Sequence, residues 1–205
     1  MDASRSAATA RPRPVSLRRR GPVLEQAILE AALEQLSTVG WNGLTMEGVA
    51  AGARTGKAAV YRRWSTKEAL VADALRGGLP TLDEAPDFGG IRADLYEVCR
   101  RLRDAMLSGP GVALRSVLHE CDVNAAERFH AVIINGMIEP STELFREIVA
   151  RGIDRGEVRP DAMCEMVFDV IPAMMMYRTK VCGSEWPDDE IGRMIDQVMV
   201  PLFRS

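Results

Sequence analysis

Apolar side chains recur along this chain at intervals of three and four and almost never alternate. Val23, Ala27, Ile28, Ala31, Ala32, Gln35 and Leu36 follow the spacing of a helix with 3.6 residues per turn. Pro22 suits the first turn of that helix, and Gly40 suits a left-handed cap at its end. After a turn at Trp41–Leu44, Thr45 is placed to cap a helix of about two turns whose inward positions are Met46, Val49 and Ala50, with Glu47 beside its positive end. Residues 51–55 break the pattern, and Thr55 is placed to cap a short helix from Gly56 to about Arg62. Ser65-Thr66-Lys67-Glu68 reads as a capping box with Ser65 at the cap, opening a helix to about Arg76.

Residues 77–90 carry four Gly and two Pro and predict a linker or mobile loop. Helical spacing resumes at about 91–108, 111–121 and 124–155, the last broken near Gly136 and Pro140. A turn at 156–160 leads to a long helix at about 161–182. A last helix starts near Pro187 and ends near 203. No stretch has the period of a strand. The expected fold is all-α with about nine helices: a basic arm without fixed structure at 1–22, a three-helix head at 23–70, and a helical body at 71–205 for ligand binding and dimerisation.

Charge sharpens this division. The chain has a formal net charge of −3, which by itself speaks against nucleic acid. Residues 1–66, however, hold ten Lys or Arg against five Asp or Glu, and residues 67–205 hold sixteen against twenty-four. A basic head on an acidic body fits a DNA-binding module joined to a domain that does not touch DNA. No run of 18 apolar residues is present, and no apolar stretch follows the basic N-terminus. A cytoplasmic protein with no membrane partner is therefore expected. The four cysteines, Cys99, Cys121, Cys164 and Cys182, form no C-x-x-C pair and are expected to be buried thiols. His119 and Cys121, two apart, fall on different helix faces and give no metal site.

The informative chemistry lies at 45–62, two short helices joined by a tight turn. A helix-turn-helix needs small residues where its helices touch, and Ala50, Ala53 and Ala58 are suitable. It also needs an apolar residue to seat the second helix, and Val60 is suitable. The N-terminal end of that helix meets base edges, so Thr55, Gly56, Lys57, Ala58 and Ala59 are the candidate base-reading residues. Phosphate donors should flank it, and Thr45, Tyr61, Arg62, Arg63 and Lys67 are the candidates.

The run Ile28-Leu29-Glu30-Ala31-Ala32-Leu33, with Gly40-Trp41, Leu44-Thr45, Val49-Ala50, Lys57-Ala58, Val60-Tyr61-Arg62-Arg63-Trp64 and Lys67-Glu68-Ala69-Leu70, resembles the N-terminal domain of TetR-family transcriptional regulators. The resemblance covers about 50 of the 205 residues with its spacing intact. It implies phosphate contacts from Thr45, Tyr61 and Lys67, base contacts from the segment Arg54–Ala59, and Trp64 packed under the recognition helix where the family usually has Phe. This chain departs from the family at Arg54, where Gly is usual, at Gly56, where Ser is frequent, and at Ala59, where Thr is common. Gly56 and Ala59 offer no side-chain hydrogen bond to a base.

For the body, the resemblance implies a helical pocket for a small-molecule effector and a homodimer paired through the last two helices. It also implies a palindromic double-stranded operator. The nearly all-round apolar stretch at 163–177 must be buried on most sides. Met174, Tyr177, Cys121, Phe129 and His130 are the candidate pocket residues, and the eleven Met suit irregular apolar surfaces. The expected function is a repressor released by a largely apolar ligand; the alternative is a helical small-molecule adaptor or carrier that does not bind DNA. No phosphate-cradling Gly motif, G-x-S-x-G or H-E-x-x-H occurs, so neither an enzyme nor a cofactor is expected.

Overall fold

In the computed structural model, which describes residues 21–120, 129 and 134–204, the helical spacing becomes, among the described residues, nine helices and no strand. The arm expected at 1–22 lies outside the described residues but for its last two positions. Helix α1 (Pro22–Gly43) has its proline in the first turn and buries Leu24, Ala27, Ile28, Ala31, Ala32 and Leu36 along one face. Gly40 has φ 75° and ψ 179°. Its φ is positive as expected, but its ψ is extended, so the chain makes a sharp bend rather than a left-handed cap. A last turn then carries Trp41 into the core.

Helices α2 (Met46–Gly52), α3 (Lys57–Tyr61) and α4 (Lys67–Gly78) complete the head. Thr45 caps α2 as expected, its hydroxyl oxygen accepting from the Gly48 N–H at 3.1 Å. Two expected caps are corrected. At α4 the cap is Thr66, which accepts from the Ala69 N–H at 3.2 Å, one residue after Ser65. At α3 it is Gly56, with no side-chain bond, rather than Thr55. Helix α4 runs past residue 70 without a break, and Val71, Ala74 and Leu75 belong to the head core with Leu70.

The body comprises α5 (Ile91–Leu107), α6 (Gly109–Glu120), α7 (Glu139–Asp154), α8 (Glu165–Cys182) and α9. The last is built from Asp188–Met194, a π-helical turn Ile195–Met199 and Val200–Phe203. Another π-helical turn, Ile134–Ile138, feeds α7 where a break was expected, and Pro140 sits harmlessly in the first turn. A core distinct from that of the head gathers Leu95, Val98 and Leu102 of α5, Phe145 and Ile148 of α7, Phe168 of α8, and Ile191 and Phe203 of α9.

The expected mobile loop at 77–90 is held down. Asp94, fully buried, accepts from the Phe88 N–H at 2.6 Å, and Arg151 and Arg101 donate to the Pro86 and Glu84 carbonyl oxygens at 2.5 and 2.9 Å. The cysteine expectation is also corrected. Cys99 is buried, and desolvation pushes its thiol up to about 12, which leaves it inert. Cys164 and Cys182 are exposed at the ends of α8, and Cys121 lies outside the described residues.

Helix α6 belongs to both halves. Ala113, Leu114 and Val117 are buried in the head core. Ser116 accepts from the Trp41 N–H at 2.9 Å and donates to Glu120 at 3.0 Å, and Glu120 accepts from the Asn42 N–H at 3.0 Å. A Cβ on Gly40 would lie 2.4 Å from the Glu120 carboxylate, so the bend at Gly40 and the grip of α6 on it require the same residue. Among the described residues no helix is long and apolar enough to cross a membrane.

Candidate nucleic-acid interface

The spacing of α2 and α3 is set by small residues and one glutamine. The Gln35 amide oxygen accepts from the Thr45 N–H at 3.3 Å, and a Cβ on Gly48 would lie 2.1 Å from the Gln35 amide nitrogen. Across the turn, the Thr55 N–H donates to the Ala50 carbonyl at 2.9 Å and the Arg54 N–H to that of Ala51 at 3.0 Å. Arg54 has φ 54°, a left-handed conformation that favours glycine. The family's usual glycine thus has a physical counterpart here, filled by a cation.

Helix α3 presents two unlike sides. Ala59 and Val60 are buried in the head core, while Gly56, Lys57, Ala58 and Tyr61 are exposed. This corrects the expected packing contact at Ala58, which falls to its neighbour Ala59. With Arg54 exposed and Thr55 half-buried, the expected base-reading residues lie on the turn and the open side of α3, except Ala59, whose burial in the head core takes it away from the base edges. Trp64 is buried beneath α3, and its indole N–H donates to Asp73 of α4 at 2.9 Å. A phenylalanine could not make that bond.

The cations are partly engaged. Lys57 forms an ion pair with Glu47 and lies 5.4 Å from the centre of the Tyr61 ring. Their hydrogen bond lowers the Glu47 carboxyl and raises the Lys57 ammonium. The pair is exposed, so little free energy opposes its exchange for a phosphate. Arg63 donates to the Ala59 carbonyl at 3.1 Å and stands 3.8 Å from Glu25. Lys67 donates to the Trp41 carbonyl and lies 4.1 Å from the centre of the Trp41 ring. Burial lowers the ammonium's pKa, with Glu68 and Glu120 opposing. Thr45 keeps its hydroxyl proton free as a donor, because its oxygen is the capping acceptor. Sequence reading missed the roles of Gln35 and Gly48 and the Glu47–Lys57 pair. Gln35 alone carried a signal, as an amide close to the apolar face of α1.

A cavity of about 210 Å³ lies among α5, α6 and α8, lined by Met106, Leu118, Met175 and Trp186 among others. The three expected pocket residues that are described, Phe129, Met174 and Tyr177, do not line it. Phe129 is buried in the head core, edge-on to Trp41 at 5.2 Å and 85°. Met174 is turned toward the body core, and Tyr177 faces outward, 59 % exposed. Helix α8 instead presents Pro172, Met175, Met176 and Thr179 to the cavity, one step round the helix. Cys121 and His130 lie outside the described residues.

Comparison with known proteins agrees in both halves. Residues 28–74 match the family described as bacterial regulatory proteins, tetR family, and residues 85–198 match the tetracyclin repressor-like C-terminal domain. The chain is 32 % identical over 190 residues to the DNA-binding transcriptional repressor TetR of Mycobacteroides abscessus, covering 90 % of this chain and 96 % of that one. Among solved structures, a TetR transcriptional regulator from Agrobacterium tumefaciens superposes with a TM-score of 0.66 at 18 % identity, covering 87 % of this chain and 92 % of that one. NalD, the secondary repressor of the MexAB-OprM multidrug efflux pump in Pseudomonas aeruginosa, superposes with 0.63 at 20 %, covering 89 % and 96 %. At such identities the two structures speak for the fold alone.

Proposed function

The chain belongs to the TetR family of transcriptional regulators, and on that premise we propose that it is a cytoplasmic repressor that holds a palindromic operator as a homodimer and releases it when a small, largely apolar effector enters the body. The observation that carries this reading is the head itself: a helix-turn-helix whose second helix is seated by Ala59 and Val60 and leaves Lys57, Ala58 and Tyr61 open. Repression, rather than activation, is supported by the named role of the Mycobacteroides relative.

In this reading the turn and the start of α3 enter the major groove, with Arg54, Thr55, Gly56, Lys57 and Ala58 against base edges. Thr45, Tyr61, Arg63 and Lys67 take phosphates and fix the register. Lys67 gives one donor to Trp41 and retains two more. Two heads about 34–36 Å apart meet successive turns of the duplex. The effector acts only through its preference for a body conformation with another head spacing. Helix α6, facing the cavity with Arg115, Leu118 and His119 and gripping the head with Ser116 and Glu120, is the element both sites share.

The test is a DNA titration at several salt concentrations, using the fragment upstream of the protein's own gene and an unrelated fragment. Wild type is expected to prefer the former. Tyr61→Phe and Lys67→Ala should weaken both alike, and Lys67→Ala should flatten the salt slope by about one unit per half-site. Equal binding of both fragments by wild type would contradict the reading, and a changed base preference in either variant would reassign that residue.

A further inference from the structure

We propose that the cavity among α5, α6 and α8 takes a single-chain amphiphile with an anionic head, its tail against the methionine-rich wall and its head at Arg115, His119 and Lys180. This rests on the reading of that cavity as the effector site.

The wall is apolar almost throughout, with Leu102, Met106, Leu118, Ile138, Met175 and Trp186 contributing. Unbranched thioethers adapt to a flexible chain better than rigid side chains do. Trp186 is 2 % exposed, has φ 55° and donates its indole N–H to the Met175 carbonyl at 3.1 Å. A bulky residue held at positive φ is costly and persists where the surroundings fix it, as at ligand clamps.

The charges of the wall are unequally committed. Arg103 is neutralised by Asp188 and by Asp104, at 3.0 Å from the latter, and also donates to the Trp186 carbonyl at 3.1 Å. Among the described residues the wall has one carboxylate, Glu185, the neighbour of Trp186 in the chain. Arg115 and Lys180 have no ion-pair partner among the described residues, and His119 lies four residues after Arg115, on the same face of α6. A half-buried arginine lacking a carboxylate, at the wall of an apolar cavity, is an anion site awaiting its partner. A neutral ligand would leave it unmatched, and a cationic one would be repelled.

About 210 Å³ is room for a short alkyl tail, well above the ~10–15 Å³ that a single water needs on the same measure. Octanoate is therefore the simplest probe.

Calorimetric titration of the full chain with octanoate, octyl phosphate, octanol and octyltrimethylammonium, each below its micellar concentration, decides the matter. Octanoate or octyl phosphate should bind at least about tenfold more tightly than octyltrimethylammonium, and the better of the two identifies the head group as carboxylate or phosphate. Arg115→Gln combined with Lys180→Gln should cost the anions about tenfold and leave octanol within about twofold. Unchanged octanol binding shows that the variant keeps its fold. Octanol or the ammonium binding as tightly as the anions would overturn the anionic head, as would an anion affinity unchanged in the double variant. No binding by any of the four, in protein that still shifts the upstream DNA, would overturn the proposal and leave the repressor reading standing. Anion binding by a protein that shifts no DNA would do the reverse.

Discussion

Arg54 is the residue at which the competing demands of the head are most visible. Its φ of 54° costs a non-glycine residue about 1–2 kcal/mol. Arg54→Gly relieves that strain but adds about 0.5–1 kcal/mol of backbone entropy to the cost of folding. The stability change should therefore lie between nothing and a gain of about 1.5 kcal/mol. If Arg54 meets DNA as proposed, affinity should fall at the same time. Thermal melting and fluorescence anisotropy on one preparation check both directions, and unchanged affinity would remove Arg54 from the interface. At this scale the sequence was partly legible. Thr45 announced its cap because a hydroxyl before a helix has one obvious use. The box at Ser65-Thr66 offered two hydroxyls in a row, and only the backbone could choose between them. The Glu47–Lys57 pair joins two helices, and no local spacing foretells it.

Among the elements, α6 links the two functions. Its apolar face enters the head core, Ser116 and Glu120 grip Trp41 and Asn42, and Arg115, Leu118 and His119 face the cavity. Glu120→Gln, combined with Ser116→Ala, should leave ligand binding in the cavity largely intact while reducing its effect on DNA affinity severalfold, because the coupling free energy passes through that grip. Measuring both affinities with and without the other ligand checks this, and unchanged coupling would place the route elsewhere. The grip is also acid-sensitive. The Asn42 N–H, then the Ser116 hydroxyl, hold the Glu120 carboxyl below its ordinary value near 4.5. A depressed carboxyl contributes its stability above that value and loses it as pH falls through the folded-state value, so melting should show the grip intact at neutral pH and lost in acid. Glu97, held down to about 2 chiefly by Arg100 and then Arg101, loses its contribution later, between about 4.5 and 2. The helix itself was readable from spacing. Its sharing between head and body was not, because the partners of Ser116 and Glu120 lie some 75 residues away along the chain.

At the scale of the whole molecule, the all-helical fold and the basic head on an acidic body were both legible, since periodicity and charge sums need no tertiary information. The pocket residues were not. Composition marks α8 as apolar nearly all round, but only packing decides which side faces the cavity. In one chain α8 buries just Phe168 and Ile171, leaving Met166, Tyr177 and Val181 82, 59 and 64 % exposed. With Val170 and Ala173 these positions recur at helical spacing along one face. An exposed apolar stripe of this kind is what a dimer covers, and a stable pair buries at least about 1,200 Å² in total. Tyr177→Asp should therefore give monomers by light scattering at micromolar concentration and abolish tight operator binding, because each head alone holds one half-site. Wild type already monomeric at that concentration would contradict the dimer. The central claim, that two copies of α3 read adjacent turns of one operator, is tested most directly by a DNase footprint on the region upstream of the protein's own gene. The account predicts protection over two inverted half-sites whose centres lie about 10–10.5 base pairs, or a small multiple of that, apart. Protection of a single half-site, or none at concentrations where the protein is dimeric, would contradict it.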